Sequence, residues 1–305
     1  MISVVIPVKD GGRDLVRCLE AIGRQRIDEE VEVVVVDSGS HDGSAESADR
    51  LGARVHSISH DEFHHGRTRN IGAEIAQGEV LVFTSQDAYA ADDRWLAALV
   101  SPLSQDETVA GVYGRQLPHE TARPPERYFL DFLYGPNARV QRLGTVEELS
   151  FEATLFSNVN SAIPRRIWNE YPFADDIVMS EDQEWSRRVL LAGRSIVYAP
   201  GAVVYHSHAY SIVGAFRRFF DSGASADRSY MSDDRRSRQA LRGAAARYAR
   251  DELAWLWRTG QRRWIPYTAL YESAKFGGLQ LGRRHRHLPA SLRRRLSHYP
   301  SYWSE

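Results

Sequence analysis

VEVVVVDSGS, residues 31–40, is the stretch on which the fold turns. An almost unbroken valine run of six residues is too short for a helix of ordinary length. It is apolar on both alternating faces, as in a strand buried on both sides of a parallel sheet. The run stops at Asp37-Ser38-Gly39-Ser40, residues that favour turns. ISVVIPV (2–8) has the same form and stops at Lys9-Asp10-Gly11-Gly12. Between the two, Leu15, Val16, Leu19 and Ile22 recur at helical spacing over 13–25. The alternation continues with a helix at 44–51, a strand at 54–58, a helix at 67–77, a strand at 79–84 and a helix at about 92–101. Strands alternating with helices predict an α/β, Rossmann-like, mostly parallel sheet with helices on both faces.

Beyond residue 108 the pattern loosens. TVAGVYG (108–114) reads as a strand and the proline-bearing 117–127 as a loop. Residues 151–163 suggest further strands before a helix opening at Pro164. Glu181–Ala192 reads as a helix, and IVY (196–198) and VVYH (203–206) as two strands. From about 210 the chain is helical in pattern and rich in arginine and aromatic residues. The expected division is a core domain over 1–210 and a helical C-terminal region over 211–305.

The chain has 305 residues, 43% hydrophobic and 26% charged, with a net charge of −1. That is ordinary for a globular protein and gives no global reason to expect nucleic acid. The single cysteine, Cys18, excludes a disulfide framework and a cysteine-based zinc site. MISVVIPVKD reads as a first strand and not as a signal peptide, and no apolar run approaches a membrane span. These features predict a cytoplasmic protein. The tail carries Arg283, Arg284, Arg286, Arg293, Arg294 and Arg295, interleaved with leucines and followed by Tyr299, Tyr302 and Trp303. Such a segment suits peripheral contact with the inner face of the plasma membrane, and equally a homodimer contact or a solvated helix.

Acidic residues fall where strands end: Asp10, Asp37 and, in FTSQDAYA (83–90), Asp87. In a parallel sheet these ends share the edge where open α/β folds bind ligands. Turn chemistry explains each one singly, and explains three on one edge less well. Neither G-x-G-x-x-G nor G-x-x-x-x-G-K-[ST] is present, which removes the main support for dinucleotide oxidoreductase and P-loop readings. In HDEFHHGRTRN (60–70) the H-E-x-x-H order of a zinc hydrolase is absent. A helix starting near Gly66 would instead aim its N–H groups, with Arg67 and Arg69, at an anion. Glu181-Asp182 opens a helix, where acidic residues are favoured by the helix dipole alone. His206 and His208 alternate on a strand-like segment, so at most one of them is expected to face the crevice.

VVIPVKDGG (4–12), VVVVDSGSHDGS (33–44), FHHGRTRNIGA (63–73), FTSQDA (83–88), FSNVNSAIPRRIW (156–168), SEDQEW (180–185) and VVYHSHAYS (203–211) together resemble the family 2 glycosyltransferases of GT-A fold, and more closely the bacterial rhamnosyltransferases among them. The resemblance implies a nucleoside-diphosphate sugar donor, a saccharide or lipid-linked saccharide acceptor, and Mg²⁺ or Mn²⁺. Pro7, Lys9 and Asp37 would border the nucleobase, and Arg69 would touch the nucleotide or its phosphates. Asp87 would match the metal-binding aspartate of the D-x-D motif, with His206 beside the metal or diphosphate. Asp182 would match the catalytic base. Ser85 stands where the first D-x-D aspartate would be, next to Gln86, and both fall on the donor side. That departure puts metal binding in question and suggests a deoxyribose donor, dTDP-L-rhamnose, because the aspartate it replaces typically reaches the ribose hydroxyls of a uridine nucleotide. A UDP-hexose enzyme, a non-catalytic nucleotide-sugar-binding protein and a nucleotidyltransferase are the competing readings. The intact Glu-Asp pair weighs against the second, and the thin Gly11-Gly12-Arg13 loop against the third.

Overall fold

The computed structural model describes residues 1–231 and 235–303. The first half follows the alternation read from the sequence: β1 (Ile2–Val8), α1 (Gly12–Gly23), β2 (Val31–Asp37), α2 (Ser44–Arg50), β3 (Arg54–Ser57), α3 (His65–Ile75) and β4 (Val80–Thr84). β3, β2, β1 and β4 lie side by side and parallel, with Val8 in register with Asp37. Successive side chains go to opposite cores. Val5, Val34, Leu81 and Phe83 enter one apolar cluster, and Val4, Ile6, Val35 and Val82 the other. That two-sided burial is why the strands are nearly continuous in valine and isoleucine.

The second half reverses direction inside the same sheet. β5 (Tyr89–Ala90) and α4 (Trp95–Val100) precede β6 (Val109–Leu117), α5 (Pro124–Leu133) and β7 (Arg139–Gln141). β8 (Asn160–Pro164), α6 (Arg165–Glu170), α7 (Glu181–Leu191) and β9 (Ser195–Tyr205) complete the core. The nine strands form one mixed sheet in which β8 is antiparallel to both β4 and β6, while β6 and β9 are parallel.

Three readings of this half change. Pro124 and Pro125 open α5 instead of extending a loop, since proline fits the first helical turn, where its missing N–H is not needed. Within 151–163 only the stretch from Asn160 is strand. The two strands expected near 196 and 203 are one, β9, with a register shift opposite Gly114/Arg115 where Pro200-Gly201 interrupts the ladder. Buried Asn160 bridges that irregularity: its amide donates to the Arg115 and Ala202 carbonyls and accepts from Trp95 Nε1 at 2.8 Å.

α8 (Ile212–Ser229), α9 (Arg235–Arg258), α10 (Ile265–Gly282) and α11 (Ala290–Leu296) follow. α8 and α10 meet backbone to backbone. A Cβ on Gly278 would sit 2.2 Å from the Phe216 carbonyl oxygen, and one on Gly282 1.9 Å from that of Phe220. The final turn docks on α8, where buried Asp221 accepts from the backbone N–H groups of His298 at 2.7 Å and Tyr299 at 3.2 Å. Trp303, Tyr299 and Tyr302 pack with Phe220, Val178 and Met179, so the tail aromatics turn inward. Arg284, Arg286, Arg294 and Arg295 stay exposed. Among the described residues no helix is long and apolar enough to cross a membrane.

Candidate active site

The carboxyl ends of β1, β2 and β4 are stitched together. The Lys9 N–H donates to Gln86 Oε1 at 2.8 Å, and Gln86 Nε2 donates to the Lys9 carbonyl at 3.0 Å. Lys9 Nζ bonds the Gly39 carbonyl. The Gly11 and Gly12 N–H groups donate to Ser44 Oγ, and Asp10 caps the His41 N–H at 2.8 Å. Asp37 is 3% exposed; its Oδ2 accepts from the Gly39 and Ser40 N–H groups, while buried Oδ1 has no partner among the described residues. Turn chemistry therefore accounts for Asp10 and for half of Asp37. Pro7 pairs in register with Val36 beside it.

Asp87 is placed by the short ladder of β5 on β9, in which Tyr89 faces Tyr205 and Ala90 faces Val204. The residues just before β5 thereby meet those just after β9. Asp87 Oδ1 is 3.7 Å from His206 Nε2, and Oδ2 is 3.6 Å from His208 Nδ1. The expectation that only one histidine would face the crevice is overturned. β9 ends at Tyr205, strand alternation ends with it, and both rings turn to Asp87, edge to face with centroids 4.5 Å apart.

His206 is buried, and burial holds its pKa down at about 3, so it is neutral. Its Nδ1 lies 2.9 Å from Gln116 Oε1, an acceptor fixed by the Gln116 amide bonding Tyr134 and Ser157. Nδ1 therefore carries the hydrogen, and the lone pair of Nε2 points at Asp87. A separation of 3.6–3.7 Å is too long for a hydrogen bond, whereas one ligand atom from each of the three residues lies within 4.8 Å of the others. One carboxylate and two imidazoles converge here, the His206 lone pair facing inward with Gln116 behind the ring, and this donor set fits a divalent cation.

At the start of α7, Ser180 adopts the left-handed conformation (φ 64°) and turns Glu181 and Asp182 into the protein. Glu181 is ion-paired with Arg69 at 3.1 Å, both buried, and accepts from Asn158 Nδ2 at 3.2 Å. Glu184 is held by Arg188 at 2.9 Å. Asp182 accepts from the Gln183 N–H at 2.8 Å and the Asn158 N–H at 3.3 Å, and no cation lies within ion-pairing distance among the described residues. Burial, then the neighbouring Glu181 charge, pushes its pKa up to about 7.

Arg69 thus lines the cavity with its charge committed to Glu181. Nor do Gly66 and Arg67 at the start of α3 present free N–H groups to an anion. His64 Nδ1 accepts from Gly66 and Arg67, and its Nε2 bonds the Ile177 carbonyl. Arg67 is turned to Asp175 at 4.0 Å.

A cavity of about 600 Å³ joins Ser85, Asp182, His206 and His208. Its other wall comes from the C-terminal helices and tail, with Arg218, Lys275 and Tyr299. The division expected at residue 210 therefore runs through the site. Gln116, Asn158 and Arg218 were not legible as site residues, because each gains its role from a neighbour brought in by the fold. The repeated histidine of H-S-H was the one local signal for His208.

Residues 3–170 match the family described as Glycosyl transferase family 2. The O-antigen chain rhamnosyltransferase RfbN of Salmonella typhimurium is 32% identical over 99% of this chain and 96% of its own length. The O-antigen chain rhamnosyltransferase WbaN of Salmonella anatum is 32% identical over 90% and 86%. Among solved structures, the mannosyltransferase PcManGT of Pyrobaculum calidifontis, in complex with GDP-Man and Mn²⁺, superposes with a TM-score of 0.59 at 19% identity, over 91% of this chain and 86% of that one. Residues 1–349 of TarS from S. aureus superpose with a TM-score of 0.53 at 13% identity, over 94% and 91%. The fold is GT-A, as the sequence motifs implied, and the chain belongs to glycosyl transferase family 2 and is a glycosyltransferase.

Proposed function

We propose that this glycosyltransferase moves L-rhamnose from dTDP-L-rhamnose to a hydroxyl of a saccharide or lipid-linked saccharide, with inversion, in cell-surface polysaccharide synthesis. The observation that carries the chemistry is Asp182, without an ion-pair partner among the described residues and poised near pH 7 in the wall of the cavity that His206 and His208, the neighbours of Asp87, also line. A general base works best with a pKa near the working pH. Asp182 takes the proton from the acceptor hydroxyl as it attacks the anomeric carbon. With Glu181 and Glu184 both held by arginines, one carboxylate remains for chemistry in this group, which favours a single direct displacement. Asp87, His206 and His208 would hold Mg²⁺ or Mn²⁺, which when bound supplies positive charge to the departing diphosphate. Lys9 and Asp37, with Pro7, would border the base, and the partnerless Oδ1 of Asp37 would accept its N–H.

The sugar assignment is supported by the names of two relatives that are 32% identical over most of their length. Ser85 supports it independently. An aspartate aimed at a ribose hydroxyl would be left unpaired by a deoxyribose, at a cost of about 1–3 kcal/mol. Calorimetric titration should show dTDP bound more tightly than UDP by the native protein, and Ser85→Asp should shift the preference toward UDP. Tighter binding of UDP by the native protein would move the donor to a UDP-hexose.

We also place the enzyme at the inner face of the plasma membrane, through charge alone. Exposed Arg284, Arg286, Arg294 and Arg295 would meet anionic lipid while the tail aromatics stay packed inside. Co-sedimentation with vesicles containing phosphatidylglycerol should fall as salt is raised, and should fall again when the four arginines become glutamine. Unchanged sedimentation of the quadruple variant would leave these arginines solvated.

A further inference from the structure

Arg218 lies on α8, outside residues 3–170 that match the family, and its side chain lines the cavity with Asp182, His206 and His208. It is half-buried, yet among the described residues no carboxylate lies within 4.0 Å of its guanidinium. Its hydrogen-bond contact there is Met179 Sδ at 3.6 Å, a weak acceptor. Three other cations taken inside this molecule are partnered. Arg69 has Glu181, Arg165 has three backbone carbonyls, and Lys275 has Glu272 at 2.7 Å inside a ring of aromatic faces. The acids nearest the cavity, Asp182 and Glu181, act on Arg218 only from beyond ion-pairing distance among the described residues, and Glu181 is taken by Arg69. A partly desolvated guanidinium without an anion is costly, and the cost is offset when an anion arrives.

The position of Arg218 is also fixed. α8 is locked to α10 by the glycine contacts at Gly278 and Gly282, and to the tail through Asp221, one turn beyond Arg218 on the same helix. We propose that Arg218 binds the diphosphate of the nucleoside-diphosphate donor, gripping phosphoryl oxygens beside the Asp87–His206–His208 group. This rests on the nucleotide-sugar reading above. The planar fork of arginine matches two phosphoryl oxygens at once, and a preset cation there gains strength as charge builds on the leaving group.

The test compares diphosphate with monophosphate affinity within each protein, so a partly misfolded sample does not alter the ratio. Native, Arg218→Ala and Arg218→Lys proteins are titrated with dTDP and dTMP, and with UDP and UMP, at fixed Mn²⁺. Arg218→Ala should weaken the diphosphate by about 10- to 100-fold while the monophosphate changes little. Arg218→Lys should recover part of the loss, since it restores charge without the fork. A diphosphate-to-monophosphate ratio in Arg218→Ala equal to the native one overturns the proposal alone. A native protein that binds no nucleoside diphosphate overturns the nucleotide-sugar reading, and this proposal with it.

Discussion

Replacing Asp182 by asparagine is expected to lower kcat by about 10²–10⁴-fold, the usual cost of losing a general base, with the affinity for nucleoside diphosphate near native. The choice among the three acidic residues at the start of α7 follows from their partners. Glu181 and Glu184 each face an arginine within 3.1 Å, whereas among the described residues Asp182 meets only backbone N–H groups. The asparagine is a close copy of the protonated acid, so it removes the proton acceptor without emptying the site. Folding should not suffer. Asp182 keeps its proton up to about pH 7 in the fold, against about 3.8 for the ordinary side chain, so ionising it makes the fold less stable as pH rises across that window. The variant is free of that loss, and its melting temperature at pH 8 should match or exceed the native one. The native pH profile gives the same group a second signature: kcat/KM should climb tenfold per unit below about pH 7 and level off above it. A profile already flat at pH 5, or near-native turnover by the variant, would remove Asp182 from the base role.

The sequence shows its two halves with different clarity, and the reason is physical. β1, β2 and β4 are buried on both faces and bounded by turn residues, so period and composition agree. β8 enters antiparallel, and β9 carries a break at Pro200-Gly201 that is closed only by contacts with Asn160 and β6. Neither effect is written in a local window. The same holds at the site. Asp87 and Asp182 could be singled out from their motifs, but what distinguishes Asp182 from Glu181 is Arg69, more than a hundred residues away. The alternation argument misplaced His208 because it assumed a strand that stops at Tyr205. Arg218 sits in the arginine-rich helical region beyond 210, one arginine among many, and the docking of α8 turns it into the cavity.

Treatment with excess chelator should abolish transfer, and Mn²⁺ should restore it more fully than Mg²⁺. Mg²⁺ takes oxygen donors almost exclusively, while this site offers two imidazole nitrogens and one carboxylate. Asp87→Ala removes the only anionic donor of the three. Its effect on Mn²⁺ affinity should exceed the about 10–100-fold loss that follows from disturbing an outer-shell partner. Gln116→Leu supplies that outer-shell comparison. It removes the acceptor that keeps the hydrogen on His206 Nδ1, 2.9 Å away, and so frees the ring to turn its lone pair from the site. Mn²⁺ titration followed by electron paramagnetic resonance would rank the native protein first, Gln116→Leu next and Asp87→Ala last, with no reference to turnover. Undiminished transfer in excess chelator would sink the metal role. The leaving diphosphate would then have to be neutralised by side chains, and Arg218 is the cavity cation whose charge no carboxylate claims among the described residues.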